Sequence, residues 1–279
     1  MSLVLSNRTR IIATRPVLQN ESWCESIRAL GCQTAAWPLL EIQAVSGDAA
    51  VKAKNVIMKL ADYDTVIFVS QNAVHHGFLL VEKYLPQLPH GLDYLAVGKV
   101  TAEHVETQLR RLGDGSEVVY AAGSMNSEAL LALPQMCNVA DKKILIMRGV
   151  GGRPTIATVL KQRGATVDHA ELYTRALPEQ ASATLDALVL DASRDLITFF
   201  SGETMDNAVK LFKQRRLKDW QTLPVLVPGE RVATLAREAG FKSVMVATSA
   251  STDAMLQQLM RLVSPSPLNQ KSSSNEKTQ

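Results

Sequence analysis

The residues of this chain that could do chemistry gather in short turns that follow apolar runs. The richest is Arg148-Gly149-Val150-Gly151-Gly152-Arg153-Pro154. A glycine-rich turn between a strand and a helix exposes backbone N–H groups at a helix N-terminus, which suits a carboxylate or a phosphate. Two arginines flank it. The turn fails the dinucleotide fingerprint because Pro154 takes the place of the last glycine, and the chain has no GxxxxGK[ST]. Two readings stay open on these residues alone: an anion site, or a tight turn with two solvated arginines. Ser70, Gly98, Ser201 and Gly229 hold the same kind of position. The two serines read first as helix N-caps. That role is compatible with anion binding, since a cap satisfies only part of the N-terminal N–H set.

Tyr173 stands beside Arg175. As a residue it reads as an apolar filler with a wet hydroxyl in preference to a proton donor. His75 and His76 are consecutive in a helix and cannot both face one site, and His90, His104 and His169 lack metal-ligand spacing, so no metal centre is expected. No Gly-x-Ser-x-Gly elbow supports a serine hydrolase. Cys24, Cys32 and Cys137 form no CxxC, which argues against a zinc site or a disulfide framework and for reduced thiols in a cytoplasmic protein.

The elements that must position these residues alternate. Strands are expected at Arg10–Ala13, Thr65–Val69, Leu92–Val97, Glu117–Tyr120, Lys143–Met147, Ile197–Phe200, Pro224–Val227 and Ser243–Val246. Helices are expected over 20–30, after Ser70 and Gly98, through Glu128–Leu133, from Pro154 to Gly164, from Gly229 to Gly240 and over Asp253–Leu262. Such alternation implies parallel sheets with helices on both faces, and ligands then sit at the carboxyl ends of the strands. The pattern also occurs twice. Residues 11–40 fall on 144–173 without a gap, and Val66–Ser70 matches Ile197–Ser201. Two similar α/β units make a cleft, and clefts bind small ligands. The equivalent segments 36–41 and 170–175 are the expected interdomain connections.

A hydrophobic content of 46% is ample for two cores, and a net charge of +3 is too mild for a dedicated nucleic-acid binder. The N-terminus lacks the pattern of a signal peptide, and no apolar run is long enough to span a bilayer. The segment from Ser264 to Gln279 is polar and Ser/Pro-rich and is expected to be disordered.

Taken in order, several of these segments resemble the uroporphyrinogen-III synthase family from about residue 9 to 262. They are Ile12–Pro16, Val66–Val74, Ala96–Ala102, Ile146–Arg153, Leu172–Arg175, Thr198–Gly202 and Val227–Gly229. The resemblance implies two flavodoxin-like parallel-sheet α/β domains with a cleft between them, joined by a two-stranded connection. The first would comprise 1–37 with 174–263, and the second 38–173. It implies a cofactor-free and metal-free lyase that cyclises hydroxymethylbilane, an octacarboxylate, to uroporphyrinogen III. Water is lost and ring D is inverted through a spiro intermediate. By the same resemblance Tyr173 assists loss of the hydroxyl, and Arg15, Ser70, Lys99, Thr101, Arg148, Gly152, Arg153, Ser201, Gly202 and Arg231 line the substrate site. Arg231 stands where many members carry a threonine, so a role carried to that position is in question. The implied partner is the small-molecule substrate. Neither nucleic acid nor membrane is implied, the protein is expected to be a monomer, and contact with the preceding enzyme is at most transient. Two competitors come from other classes: a non-catalytic two-lobed module that binds a polycarboxylate or tetrapyrrole, and a receiver-type regulatory domain. The second lacks the acidic strand ends it would need.

Overall fold

Runs of β-branched and aliphatic residues form strands here because both of their faces are covered. The computed structural model describes residues 9–121 and 127–263, and the tail from Ser264 lies outside the described residues. The described residues begin with β1 (Arg10–Ala13), α1 (Val17–Ala29) and β2 (Gln33–Ala36). It continues through β3 (Glu41–Ala44), α2 (Gly47–Ile57), β4 (Thr65–Phe68), α3 (Gln71–Tyr84), β5 (Asp93–Ala96), α4 (Lys99–Arg111) and β6 (Val118–Tyr120). Next come α5 (Ser127–Leu131), α6 (Pro134–Cys137), β7 (Lys143–Gly149), α7 (Thr155–Gln162) and β8 (Thr166–Ala176). It closes with α8 (Ala181–Leu188), β9 (Asp195–Thr198), α9 (Gly202–Gln214), β10 (Val225–Pro228), α10 (Glu230–Ala239), β11 (Val244–Ala247) and α11 (Thr252–Val263).

Two compact units result. Unit 1 takes the chain up to Glu41 and from Ala176 onward, and unit 2 is Ile42–Arg175. Unit 1 is built on a sheet in the order β11-β10-β9-β1-β2, parallel throughout. The sheet of unit 2 runs β3-β8-β7-β4-β5-β6, and its β8-β7-β4-β5-β6 stretch is parallel. The internal repeat matches β1 to β7 and β4 to β9. Extended to their neighbours, these matches superpose one order on the other: β2-β1-β9-β10-β11 on β8-β7-β4-β5-β6. The two units are therefore circular permutations of one arrangement, which is why the repeat runs from unit 1 to unit 2 in its first half and from unit 2 to unit 1 in its second.

Alternation within each strand divides the cores. In unit 2, Val66, Phe68, Leu145 and Met147 join one apolar cluster, while Ile67, Ile144 and Ile146 join the cluster on the other face. In unit 1, Ile12 faces the cluster that holds Trp37 and Phe212, and Ile11 and Ala13 face the one that holds Trp23 and Ile27. A strand buried on both faces is a continuous apolar run, which is how these strands read in the sequence. Among the described residues no helix is long and apolar enough to cross a membrane.

Some boundaries differ from expectation, for local reasons. Helix α1 starts at Val17, three residues early. Asn20 does not cap it but binds backbone upstream, accepting from the Arg15 N–H (3.0 Å) and donating to the Ala13 carbonyl (3.0 Å). The expected helix through Leu133 stops at Leu131, and Leu133 is extended because it precedes Pro134. Pro154 stands one residue outside α7, at its N-cap. Strand β9 ends at Thr198, which frees Phe200 to pack edge-on against Trp23. Strands β2, β3 and β8 and helices α2, α6 and α8 are not among the strands and helices expected from the sequence. Edge strand β2 (Gln-Thr-Ala-Ala) has no buried residue and so no apolar run to read.

Unit 1 is pinned across β1 and β9 by a buried ion pair. Arg10 Nε and Nη2 donate to the two Asp195 carboxylate oxygens at 2.8 and 2.7 Å, and the Asp191 N–H adds a third donor at 2.8 Å. Asp195 is buried, so removing it strands a guanidinium that is itself largely buried. Asp195→Ala is expected to cost about 3–5 kcal/mol of unfolding free energy, read from urea denaturation. A loss below about 1 kcal/mol would show the pair to be replaceable by solvent.

Candidate functional site

The carboxyl ends of β4, β5, β7 and β8 surround a pocket of about 150 Å³, lined by residues of unit 2. Val69 and Ser70 contribute from just past the end of β4, Val97 from just past β5, and Ile146, Arg148 and Gly149 from β7. Gly152, Arg153 and Ile156 come from the turn and helix that follow, Tyr173 and Arg175 from β8, and Ser127 from the start of α5. Of the expected site residues, the structure brings Ser70, Arg148, Gly152, Arg153 and Tyr173 together here.

Tyr173 lies in the long strand β8, which runs up to the boundary between the two units. The residue is 1% exposed and owes its direction to a β-bulge. Arg148 pairs with Glu171 but Gly149 pairs with Tyr173, so Leu172 is the extra residue. The bulge lets two consecutive side chains, Leu172 and Tyr173, enter the same apolar cluster where a regular strand would send one to each face. The ring then lies across the Gly149 backbone. A Cβ there would stand 2.7 Å from Tyr173 Cε2 and 2.8 Å from Cζ, so only glycine fits. Met147, Phe68 and Leu172 crowd Gly77 in the same way, which keeps α3 close to the sheet.

The Tyr173 hydroxyl is not merely wet, because it lies 2.9 Å from Ser70 Oγ. Ser70 is the N-cap of α3, as expected, and accepts the Ala73 N–H at 3.2 Å. His76, on the same helix, stacks on the Tyr173 ring with centroids 5.6 Å apart and an interplanar angle of 24°. The guanidinium of Arg175 stands 5.9 Å from that ring's centroid. Expectation set the histidine pair aside as unable to share a site. One does reach the site: His75 is exposed, while His76 is half-buried against the tyrosine. The signal was available, since His76 follows buried Ala73 by three residues and shares its helix face. Arg175 and Ser127 carried no comparable signal.

Arg148 is buried and not solvated. Its Nε donates to the Gly149 carbonyl at 3.2 Å, Nη1 to the Arg153 carbonyl at 3.5 Å, and Nη2 to the Gly152 carbonyl. Arg153 is exposed at the rim. Lys99 and Thr101 lie in the first turn of α4 but do not line the pocket, and Lys99 is exposed and paired with Glu103 at 3.7 Å. The remaining expected residues belong to unit 1. Ser201 caps α9, accepting the Thr204 N–H at 3.2 Å, and Gly202 is the buried first residue of that helix. Arg15 follows β1, next to β9 in the sheet, and Arg231 is exposed in the first turn of α10. No cluster of His, Cys, Asp and Glu among the described residues could hold a metal ion.

Burial pushes the His76 imidazole below its ordinary range, with help from His75. Burial does the same to His169, aided by the positive charges of Arg148 and Lys161. A histidine depressed in the folded state is protonated first in the unfolded chain, so stability falls as pH drops through the unfolded value of 6.5 and levels off once the folded groups protonate. Replacing both with glutamine is expected to flatten the fall in melting temperature between pH values of about 7.5 and about 5.5. An unchanged slope would count against the assignment. Gly149→Ala is expected to destabilise the protein by roughly 1–3 kcal/mol, since the ring can escape only by moving into a packed core. Urea denaturation reads this, and a neutral result would mean that the ring has room to shift.

The family model for uroporphyrinogen-III synthase HemD matches residues 21–257. The uroporphyrinogen-III synthase of Escherichia coli K12 is 32% identical over 251 residues, covering 89% of this chain and 99% of the relative. That of Salmonella typhimurium LT2 is also 32% identical, over 250 residues and with the same coverage. Among solved structures, a mutant uroporphyrinogen III synthase from Thermus thermophilus covers 91% of this chain and 98% of its own, with a TM-score of 0.57 at 18% identity. The enzyme from Helicobacter pylori 26695 covers 91% and 99%, with a TM-score of 0.55 at 16% identity. At those identities the two structures speak to the fold.

Proposed function

The chain belongs to the uroporphyrinogen-III synthase family, and we propose that it cyclises hydroxymethylbilane to uroporphyrinogen III with loss of water and inversion of ring D through a spiro intermediate. The family match carries the reaction. The observation that supports the assignment of roles is the phenol–hydroxyl contact of Tyr173 and Ser70 in the wall of an arginine-bearing pocket. A volume of about 150 Å³ is below that of a site for a whole drug-sized ligand, and suits one arm or ring edge of a tetrapyrrole.

The leaving group is a hydroxyl, and an electron-rich pyrrole expels it as water once the oxygen is protonated. That chemistry asks for a proton donor, not a redox cofactor or a metal. Tyr173 fills the role when Ser70 donates to the phenol oxygen, because the phenolic proton is then free for the substrate. Ser70 can do so because its other interaction, with the Ala73 N–H, uses a lone pair and not its proton. The substrate also closes unaided to the uninverted isomer, so the larger task is conformational: to hold the chain so that the inverting path is nearest. Fixed N–H dipoles at the strand ends would stabilise developing charge.

The strand order of unit 1, 2-1-3-4-5 when numbered within the unit, supports a flavodoxin-like reading of that unit. The cytoplasmic and monomeric expectations remain part of this proposal.

The test is isomer analysis. Hydroxymethylbilane is generated in situ, the protein is added, and the oxidised uroporphyrins are separated by chromatography. Mostly isomer III is expected. A product identical to the protein-free control would overturn the cyclase reading, and porphyrin binding without a change of product would favour the binding module. Tyr173→Phe is expected to slow turnover roughly ten- to a thousandfold without abolishing it, on the order of one general-acid contribution. Full activity in that variant would remove Tyr173 from the role.

A further inference from the structure

The permuted repeat places two arginines in equivalent positions. Arg15 lies two residues past β1 and Arg148 is the penultimate residue of β7, and each strand lies between the counterparts of the same neighbours. Their surroundings have diverged. All three guanidinium nitrogens of Arg148 donate to carbonyls of its own loop, and the side chain is almost fully enclosed. A cation held in this way stitches Gly149, Gly152 and Arg153 together. Its closest carboxylate oxygen, on Glu171, is 4.0 Å away.

Arg15 is arranged otherwise. Its Nε donates to Gln19 Oε1 at 3.1 Å and its Nη1 to Thr252 Oγ1 at 2.9 Å. Its guanidinium carbon lies 4.2 Å from the centroid of the Phe200 ring. These three contacts fix the plane of the group. They supply no counter-charge: among the described residues no carboxylate lies within ion-pair distance of Arg15, and Nη2 has no hydrogen-bond partner. Desolvation alone drives its pKa downward, with no acidic neighbour opposing it. A half-buried, preoriented and uncompensated guanidinium at the carboxyl end of a parallel strand gains most from an external planar anion.

We propose that Arg15 binds a carboxylate of the substrate through Nη2, and that Arg148, its counterpart, is a positioning residue that braces the pocket loop. The assignment of the ligand rests on the tetrapyrrole reading above.

The experiment titrates wild-type protein and the variants Arg15→Gln, Arg15→Lys and Arg148→Lys with uroporphyrin III, an octacarboxylate, following the porphyrin absorbance. Thermal midpoint, KM, kcat and isomer yield are measured on the same samples. Arg15→Gln is expected to raise Kd and KM together, roughly ten- to a hundredfold, as loss of a charge-assisted bond would. The effect on kcat should be the smaller, and the thermal midpoint should hold. Arg15→Lys should recover part of the affinity. Arg148→Lys, which cannot span three carbonyls, should lower kcat and the thermal midpoint more than it raises Kd. Wild-type protein that makes isomer III but whose affinity is unmoved by Arg15→Gln would overturn the assignment alone. Loss of porphyrin binding on Arg15→Gln in a protein that makes no isomer III would keep the carboxylate site and overturn the cyclase reading. An Arg148→Lys protein of normal stability with the larger loss of affinity would reverse the two roles.

Discussion

Three of the strands that lead to the pocket, β4, β5 and β7, are buried on both faces. Val66 and Phe68 face one core and Ile67 the other, and Leu145 and Met147 alternate with Ile144 and Ile146 in the same way. Such a strand has no side on which to carry a polar group, so polar chemistry is confined to the residues just past its end. Ser70 and Arg148 stand at such ends, and so do Arg15 and Ser201 in unit 1; Tyr173 reaches the same place from within β8, whose outer positions are polar. The parallel arrangement therefore decides where chemistry can occur before any residue decides what it is.

Within that limit, the position of Tyr173 depends on two local departures from regularity. The bulge at Leu172 turns consecutive side chains to one face. The missing Cβ at Gly149 leaves room for the ring to lie on the backbone. Either feature alone would leave the phenol misplaced, since a regular strand aims it at the opposite core and a side chain at 149 pushes it off. The ring is then held by His76 on one side while its hydroxyl meets Ser70, the residue that starts the helix carrying His76. One helix thus supplies both the hydrogen-bond partner and the stacking partner.

The two units show how one arrangement can be used in two ways. Permutation preserves the strand order and hence the set of strand-end positions. It does not preserve what fills them: where unit 2 has Tyr173, the equivalent residue of unit 1 is Leu40. Where Arg148 turns its donors inward on a glycine-rich loop, Arg15 meets an aromatic ring and two neutral side chains. Equivalent backbone positions gave divergence a fixed frame.

The sequence by itself determined the local features. Thr65–Phe68 and the start of β7 at Lys143 were legible because a run of buried β-branched residues has few other uses. Ser70 and Ser201 were legible as caps because an oxygen one residue before a helix meets its free N–H groups. Gly31, Gly164 and Gly240 marked helix ends, and all three adopt positive φ. The Arg148–Arg153 turn and Tyr173 were legible as candidates, the latter only through family resemblance. Tertiary structure alone decided the strand order, the bulge, the entry of His76, the inward turn of Arg148 and the open face of Arg15. The reason is distance along the chain. Caps, turns and periodicity are set by residues within a few positions of one another. Tyr173 instead meets Ser70 across 103 positions, and Arg15 meets Thr252 across 237. No local pattern encodes which of many strand ends will become neighbours.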